Sequence, residues 1–447
     1  MLKLRQAGII LFFTLHTKYT IHLSPFSFLY YNKATMFSGL FSHKKNKTEL
    51  TIIFDIGSGS VGAALVELAY LNKPTILYST RKDIAFNEEI NPNKLLSSMK
   101  TAMESVAQNV QKIGFKNETL GHLKNKNIGT VYCVFSAPWY LAQPKRITQT
   151  YADKKNITNS FIKKILQKEE ETFLENTAKE YTNKHEEELY LLEHVITNIE
   201  TDGYEIQSIR GQETKNLNLS IFSSLIPEKV AKTAISVVAS VFHTDNLHLH
   251  SFSMVSFGVV RDVLDLKDFI FIDISGEVTE VNLVSRGELV ESGSFPFGIN
   301  THARLLSKKL QTNPDEALSR LSSIGDKKRD VLVFGDKEKN TVSDTNDDWN
   351  KQFSELLGKF SGKYTLSPNV VFTVDSRFIK FFEESLKSDT VKNAVSYGNE
   401  PNIIPITDDF LLEYIHMAKS AKTDSFISIE TLFFNTSHEN YDKKDFA

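Results

Sequence analysis

The sequence predicts an α/β protein built from two equivalent half-domains that face each other across a cleft, with a smaller α+β unit inserted between them. Two segments carry this prediction. In Thr51–Glu67 the apolar run Ile52 to Phe54 stops at Asp55; Gly57, Ser58, Gly59, Ser60 and Gly62 follow, and Ala63 to Val66 resumes the apolar pattern. This reads as a buried strand, a tight turn and a second strand. Phe269–Val284 repeats the order far along the chain: an apolar strand to Asp273, a small-residue turn at Ser275 and Gly276, then a strand returning through Thr279. Two such hairpins imply a duplicated architecture.

At 447 residues the chain is too long for one ordinary core. A charged fraction of 24% and a hydrophobic fraction of 41% are ordinary for a folded protein. The net charge of −3 gives no global attraction to nucleic acid, so none is expected as a partner. The single cysteine, Cys133, precludes an intramolecular disulfide and suits a reducing compartment. It lies in the apolar stretch 130–135, where it is expected to fill core.

Residues 1–49 are read as a poorly ordered leader. The apolar run Gly8–Leu15 is too short to span a bilayer, and Lys3 and Arg5 before it resemble a signal-peptide opening without a cleavage site. Residues 1–35 are expected to be poorly ordered, as an upstream extension or a misassigned start. Phe37, Leu40 and Phe41, followed by Lys44, Lys45 and Lys47, suit either contact with an anionic membrane surface or a flexible leader.

Residues 50–127 form the first expected half-domain. Within it, 93–113 is an amphipathic helix with Leu95, Met99, Met103, Val106 and Val110 on one face, and 116–127 is a loop. Residues 128–228 form the inserted unit: a strand at 130–135, a charged helix from about Asn159 to Ala178, and strands near 190–199, 203–209 and 217–225. Residues 229–424 form the second half-domain, with a helix and strand at 229–250 and the second hairpin. Asn313 is a helix cap followed by Pro314 and Glu316. The polar stretch Asp336–Lys351 reads as a loop or mobile insertion, and Asn369–Val374 as a strand. Residues 425–447 form a tail in which Phe426–Phe434 alternates like a strand. His248 and His250, two apart on a strand, share a face; a metal pair and plain polar strand histidines are both open.

The turns carry the candidate chemistry. Glycine admits positive φ and close approach, and consecutive backbone N–H groups form a nest for phosphate oxygens. Asp55 at a strand end is placed to hold hydrated Mg²⁺ against such phosphates, and Ser58 and Ser60 add hydroxyl donors. The plain alternative is a structural turn. The segment lacks the Gly-Lys-Ser/Thr of a P-loop, and a strand instead of a helix follows it.

The hairpin pair resembles the two phosphate motifs of the actin-like ATPase superfamily. Met36–Lys47, Thr158–Leu166, Asp202–Gly203, Asn216–Ile221 and Gly287–Asn300 make the likeness finer, to proteins of the FtsA/PilM type, over roughly residues 50–390. The resemblance implies an actin-like (ribonuclease H-like) fold of duplicated half-domains around a nucleotide cleft, with ATP and Mg²⁺ as cofactors. It places Asp55, Gly57, Ser58, Gly59, Ser60 and Gly62 at the first phosphate motif and Asp273, Ser275, Gly276, Glu277 and Thr279 at the second. Asp375 and Ser376 fall at the adenosine motif, and Asp55 and Asp273 would meet Mg²⁺ through water. It further implies a cytoplasmic scaffold, peripheral at the inner membrane, that docks cell-division or type IV pilus proteins and self-assembles.

The sequence departs from the pattern in places. Ser275 and Glu277 replace glycines, Val278 replaces a threonine, and Val374 and Asp375 stand where a glycine turn is usual. A glutamate beside a triphosphate is electrostatically unfavourable, so at most a weak ATPase is expected. The alternatives are an actin-fold small-molecule kinase, which needs a carboxylate base near the γ-phosphate, and a nucleotide-free pseudo-ATPase scaffold. The polar C-terminus 437–447 carries no membrane helix of the FtsA kind.

Overall fold

The computed structural model describes residues 48–69, 72–86, 91–116, 120, 123, 127–185, 187–206, 211–324, 336–396 and 399–441. The leader residues Phe37, Leu40, Phe41, Lys44 and Lys45 lie outside these. Thr48 and Glu49, read as leader, instead open the first strand.

The apolar alternation of the first hairpin becomes β1 (Thr48–Ile56) and β2 (Ser60–Ala69), paired antiparallel with Asp55 opposite Gly62. β3 (Thr75–Asp83) extends the pair on the β2 side. β4 (Val131–Phe135) and β9 (Leu247–Ser251) extend it in parallel on the β1 side. The second hairpin builds the same object. β10 (Phe269–Ile274) and β11 (Thr279–Ser285) pair antiparallel, β12 (Glu288–Phe295) follows, and β13 (Asn369–Val374) and β14 (Asn402–Pro405) run parallel on the other side. Five strands of the first sheet, β3-β2-β1-β4-β9, match β12-β11-β10-β13-β14 strand for strand; the first sheet adds the short β15 (His416–Met417), parallel beside β3. The predicted duplication is therefore present in the hydrogen bonding.

Both sheets are buried on two faces, which explains their near-continuous apolar strands. One face of the first sheet is covered by α1 (Pro92–Lys112) and α3 (Glu228–Phe242). The other face is covered by α4 (Phe252–Leu264) and α11 (Ser425–Tyr441). The second sheet packs on α5 (Ile299–Leu310), α6 (Pro314–Ser323), α7 (Asp336–Ser361) and α8 (Ile379–Leu386). The predicted cap is made, Asn313 accepting from Glu316 N; α1 is capped as well, by Asn91 accepting from Lys94 N.

The inserted unit is a four-stranded sheet, β5-β8-β6-β7, made of β5 (Leu141–Ile157), β6 (Leu189–Thr201), β7 (Tyr204–Glu205) and β8 (Gln212–Pro227). It packs under α2 (Asn159–His185) through Ile162, Ile165, Leu166, Ile199 and Leu219.

Several expectations need correction. The strand at 131–135 belongs to the first sheet, so the inserted sheet starts only at Leu141; its long strand β5 alternates polar and half-buried residues and carried no apolar signal. Segment 229–250 supplies α3 and β9 to the first half, not the second. The polar stretch from Asp336 is the start of a long helix whose buried stripe includes Trp349, Phe353, Leu357 and Phe360. Residues 425–441 are not a strand-like tail: Ile427, Ile429, Phe433 and Phe434 are buried on a helix that returns to the first half. Two-residue alternation fits a strand, but side chains from Ser425 to Phe434 are almost all buried against the first half, so alternation and helix cannot be told apart there. Among the described residues no helix is long and apolar enough to cross a membrane.

Candidate functional site

β1 and β10 each end beside the partner's turn, so the two hairpin tips meet at the floor of the cleft. They meet closely. A Cβ on Gly276 would lie 2.5 Å from Gly59 Cα, and one on Gly59 would lie 3.0 Å from Gly276 Cα. Only glycine permits this backbone contact. Ser58 Oγ and Ser275 Oγ lie 2.8 Å apart, and Glu277 N donates to Ser58 Oγ at 2.9 Å. Gly57 N donates to Ser60 O at 3.1 Å, and Ser275 N to Val278 O at 3.0 Å, closing each turn on itself.

Asp55 is buried, and its Oδ2 lies 2.7 Å from Arg81 Nη2. The register explains how. Asp55 on β1 stands opposite Gly62 on β2, and Gly62 stands opposite Arg81 on β3. A Cβ at Gly62 would lie 2.7 Å from Arg81 Nη2, so the missing side chain is the gap the guanidinium crosses. Asp424 grips Arg81 with both oxygens, Nε to Oδ2 at 2.7 Å and Nη2 to Oδ1 at 2.9 Å; Nη1 donates to Ser60 Oγ at 2.8 Å. Burial pushes the Asp55 carboxyl up, against the pull of Arg81.

The second-motif residues turn inward. Thr373 Oγ1 donates to Asp273 Oδ1 at 3.0 Å, and burial with the nearby Glu280 charge pushes Asp273 up to about 8. Glu280 accepts from Tyr140 at 2.5 Å and Ser253 at 2.8 Å, and burial pushes it to about 7. Glu277 is held by Arg304, with Nη1 donating to Oε1 at 3.1 Å, and by Asn300 at 2.9 Å. Thr279 Oγ1 accepts from Trp349 Nε1 at 3.0 Å. Asp375 pairs with Arg377, which reaches across the cleft to Asp83 at 3.1 Å.

The cavity above the tips encloses about 240 Å³. Its polar wall has Asp55, Asp83, Asp315 and Asp375 against Arg81 and Arg377, and its apolar wall includes Phe86, Ile299, Leu318, Phe378 and Phe426. Asp55, Gly57, Gly59, Ser60, Ser275, Gly276 and Asp375 line it; Ser58, Gly62, Asp273, Glu277, Thr279 and Ser376 do not. The sequence reading missed Arg81, Asp424 and Glu430. Arg81 alternates on a strand like any surface arginine, Asp424 stands at the end of the expected second half-domain, and Glu430 lies in the segment read as tail.

No protein-family model matches the chain, and no curated protein matches it. Solved structures do. A PilM–PilN type IV pilus biogenesis complex superposes with a TM-score of 0.54 at 11% identity, over 88% of this chain and 98% of that one. The chain has the actin-like fold. Weaker likenesses are to the ethanolamine utilization protein EutJ of Carboxydothermus hydrogenoformans and to a Bacteroides thetaiotaomicron protein with an actin-like ATPase fold and unknown function. The first has a TM-score of 0.40 and 10% identity, covering 87% of this chain and 91% of that one. The second has a TM-score of 0.37 and 8% identity, covering 86% and 95%.

ATP with Mg²⁺, which the resemblance implies for an actin-like cleft, does not fit these residues as they stand. The cavity is below the range of about 300–1,000 Å³ usual for small-molecule sites. Asp55 already has a cation, Asp273 is buried behind the turn, and aspartates outnumber arginines on the wall. Among the described residues, no group of three or more His, Cys, Asp or Glu is arranged to hold a metal. His250 Nδ1 instead lies 3.2 Å from Glu193 Oε1. Cys133 is fully buried, and burial raises its thiol well above the ordinary value.

Proposed function

We propose that the chain is an actin-fold scaffold of PilM type whose cleft is closed by its own ion pairs instead of by nucleotide. The observation that carries this reading is Arg81, a fixed cation inserted over Gly62 onto the carboxylate that would otherwise face a metal–phosphate group. A built-in ion pair supplies the counter-ion from within the chain. Such a protein works through surfaces, docking partners at the inner face of the cytoplasmic membrane. The likeness to a PilM–PilN pilus complex supports pilus assembly over cell division. A kinase is disfavoured, since Asp55 and Asp375 are ion-paired and Asp273 is buried, with burial pushing its carboxyl up to about 8.

The test is calorimetry of ATP with Mg²⁺ on the full chain, with Asp55→Ala beside it. No binding heat in either protein is expected. Micromolar binding lost in Asp55→Ala would overturn the nucleotide-independent reading and leave a nucleotide-gated scaffold.

A further inference from the structure

Glu288 opens β12 in the second half, and its side chain is buried. Its carboxylate is met by donors from the inserted unit. Arg146 Nη1 on β5 donates to Oε2 at 3.0 Å, Asn198 Nδ2 on β6 donates to Oε1 at 2.6 Å, and Ser220 Oγ on β8 donates to Oε2. Arg146 stands opposite Ser220, and Ser220 opposite Asn198, so the three form one row across three strands. Leu219 and Ile221, either side of Ser220, pack in the cluster under α2, which puts the row on the other face of the sheet. That same face holds the first half. Ser224, four residues along β8, donates to Glu193 on β6 at 2.9 Å. Glu193 also accepts from Ser251 N at 3.2 Å and from Ser251 Oγ, and lies 3.2 Å from His250 Nδ1, at the end of β9. Phe222, between Ser220 and Ser224, is fully buried in a cluster that includes Val66 of the first sheet and Leu289 of the second.

We propose that the inserted unit is a brace across the two halves, and that its clip on Glu288 controls whether the hairpin tips stay closed. One rigid sheet bonded to both halves fixes their relative angle. The tips meet through the Gly59–Gly276 approach, the Ser58–Ser275 hydroxyl contact and the bond from Glu277 N to Ser58 Oγ. Such short-range contacts between small residues are lost together when the halves rotate. Glu288 sits at the other end of the lever: it pairs with Ser285, six residues along β11 from Thr279, roughly 20 Å from the turn. The hairpin β11–β12 lies within a five-stranded sheet, so a shift at Glu288 carries through to the tips. The clip is built to release. Arg146 is 35% exposed and also pairs with Glu200 of its own sheet, so its guanidinium keeps a carboxylate when Glu288 departs. Release leaves Glu288 free to meet water, which a buried carboxylate without donors could not do. The brace goes beyond the scaffold reading and holds whether or not the cleft takes nucleotide.

The test is hydrogen exchange of the full chain at one fixed pH, read on peptides covering the two tips, residues 54–61 and 273–280, with β13 and α1 as internal references. Glu277 N bonds across the tips, so its exchange reports their separation. Glu288→Ala removes the acceptor of the whole row. Arg146→Met removes the half-exposed donor and leaves Glu288 in place. Each is expected to speed exchange at the tips by about tenfold, within the usual range of coupling between distant sites, with β13 and α1 unchanged. Should Glu288→Ala not fold, Arg146→Met carries the test, since its side chain lies at the edge of the inserted sheet. Tips that exchange as in the wild type would overturn the brace. So would acceleration shared equally by β13 and α1, the mark of plain destabilisation. Neither outcome bears on nucleotide binding, which calorimetry reads separately.

Discussion

Gly62 leaves the space through which Arg81 reaches Asp55. Its φ is ordinary strand, so the requirement is for room and not for backbone freedom. Gly62→Ala is expected to cost roughly 1–3 kcal/mol by forcing the guanidinium aside, seen as a lower urea midpoint with an unchanged slope. A smaller loss would show that Arg81 packs elsewhere. Arg81→Met removes one partner of a buried pair and is expected to cost about 3–5 kcal/mol, because Asp55 and Asp424 are left uncompensated. The sequence marked Gly62 and Asp55 as special. It read them as a phosphate nest, because a gap for a ligand and a gap for an arginine two strands away look alike in one dimension.

At the scale of elements, α7 shows how a helix escapes a sequence reading. Asp336–Lys351 is dominated by acids, lysines and asparagines, with Val342 and Trp349 its apolar residues. The sparse stripe suffices because Trp349, with Phe353 and Leu357 beyond it, is large and fully covered, while Val342 is half-buried. Trp349 stacks on Phe353 with centroids 5.2 Å apart, meets Phe295 and Phe382 edge-on or tilted, and donates to Thr279. Trp349→Ala is expected to cost about 3–5 kcal/mol, with loss of near-UV dichroism; a cost under about 1 kcal/mol would mean that α7 does not brace the second hairpin. The amphipathic helix 92–112 and the strands of both hairpins were legible, since their patterns are dense and their caps and turns local. β5 and α11 were not, since long-range packing decides which of their faces are covered.

For the whole molecule, the two halves close over buried acids that exceed their cations. Asp273 and Glu280 bind protons in the folded state up to about 8 and about 7, whereas in the unfolded chain they release them near pH 4. Between those limits the folded state holds more protons, so stability falls as pH rises. His302 acts oppositely: burial among Phe297, Phe381 and Phe382 lowers it to about 3, so its share of stability is lost as pH falls from about 6.5. Above about pH 6.5 the histidine is neutral in both states and only the acids act. The melting temperature is therefore expected to be lower at pH 8 than at pH 6.5, with Asp273→Asn flattening the difference. An equal or higher value at pH 8 would mean that these acids are ionised in the folded protein.

The sequence by itself determined the duplicated hairpins, the acid at the end of each first strand and the glycines between, because strand period and turn chemistry are local. From these the fold class followed. Tertiary structure alone decided what the cleft holds. Arg81 meets Asp55 only because three strands align in register, and Asp424 meets Arg81 only because the last helix returns to the first sheet. Which charge neutralises a buried carboxylate depends on what lies within a few ångströms of it, and chain order does not carry that information.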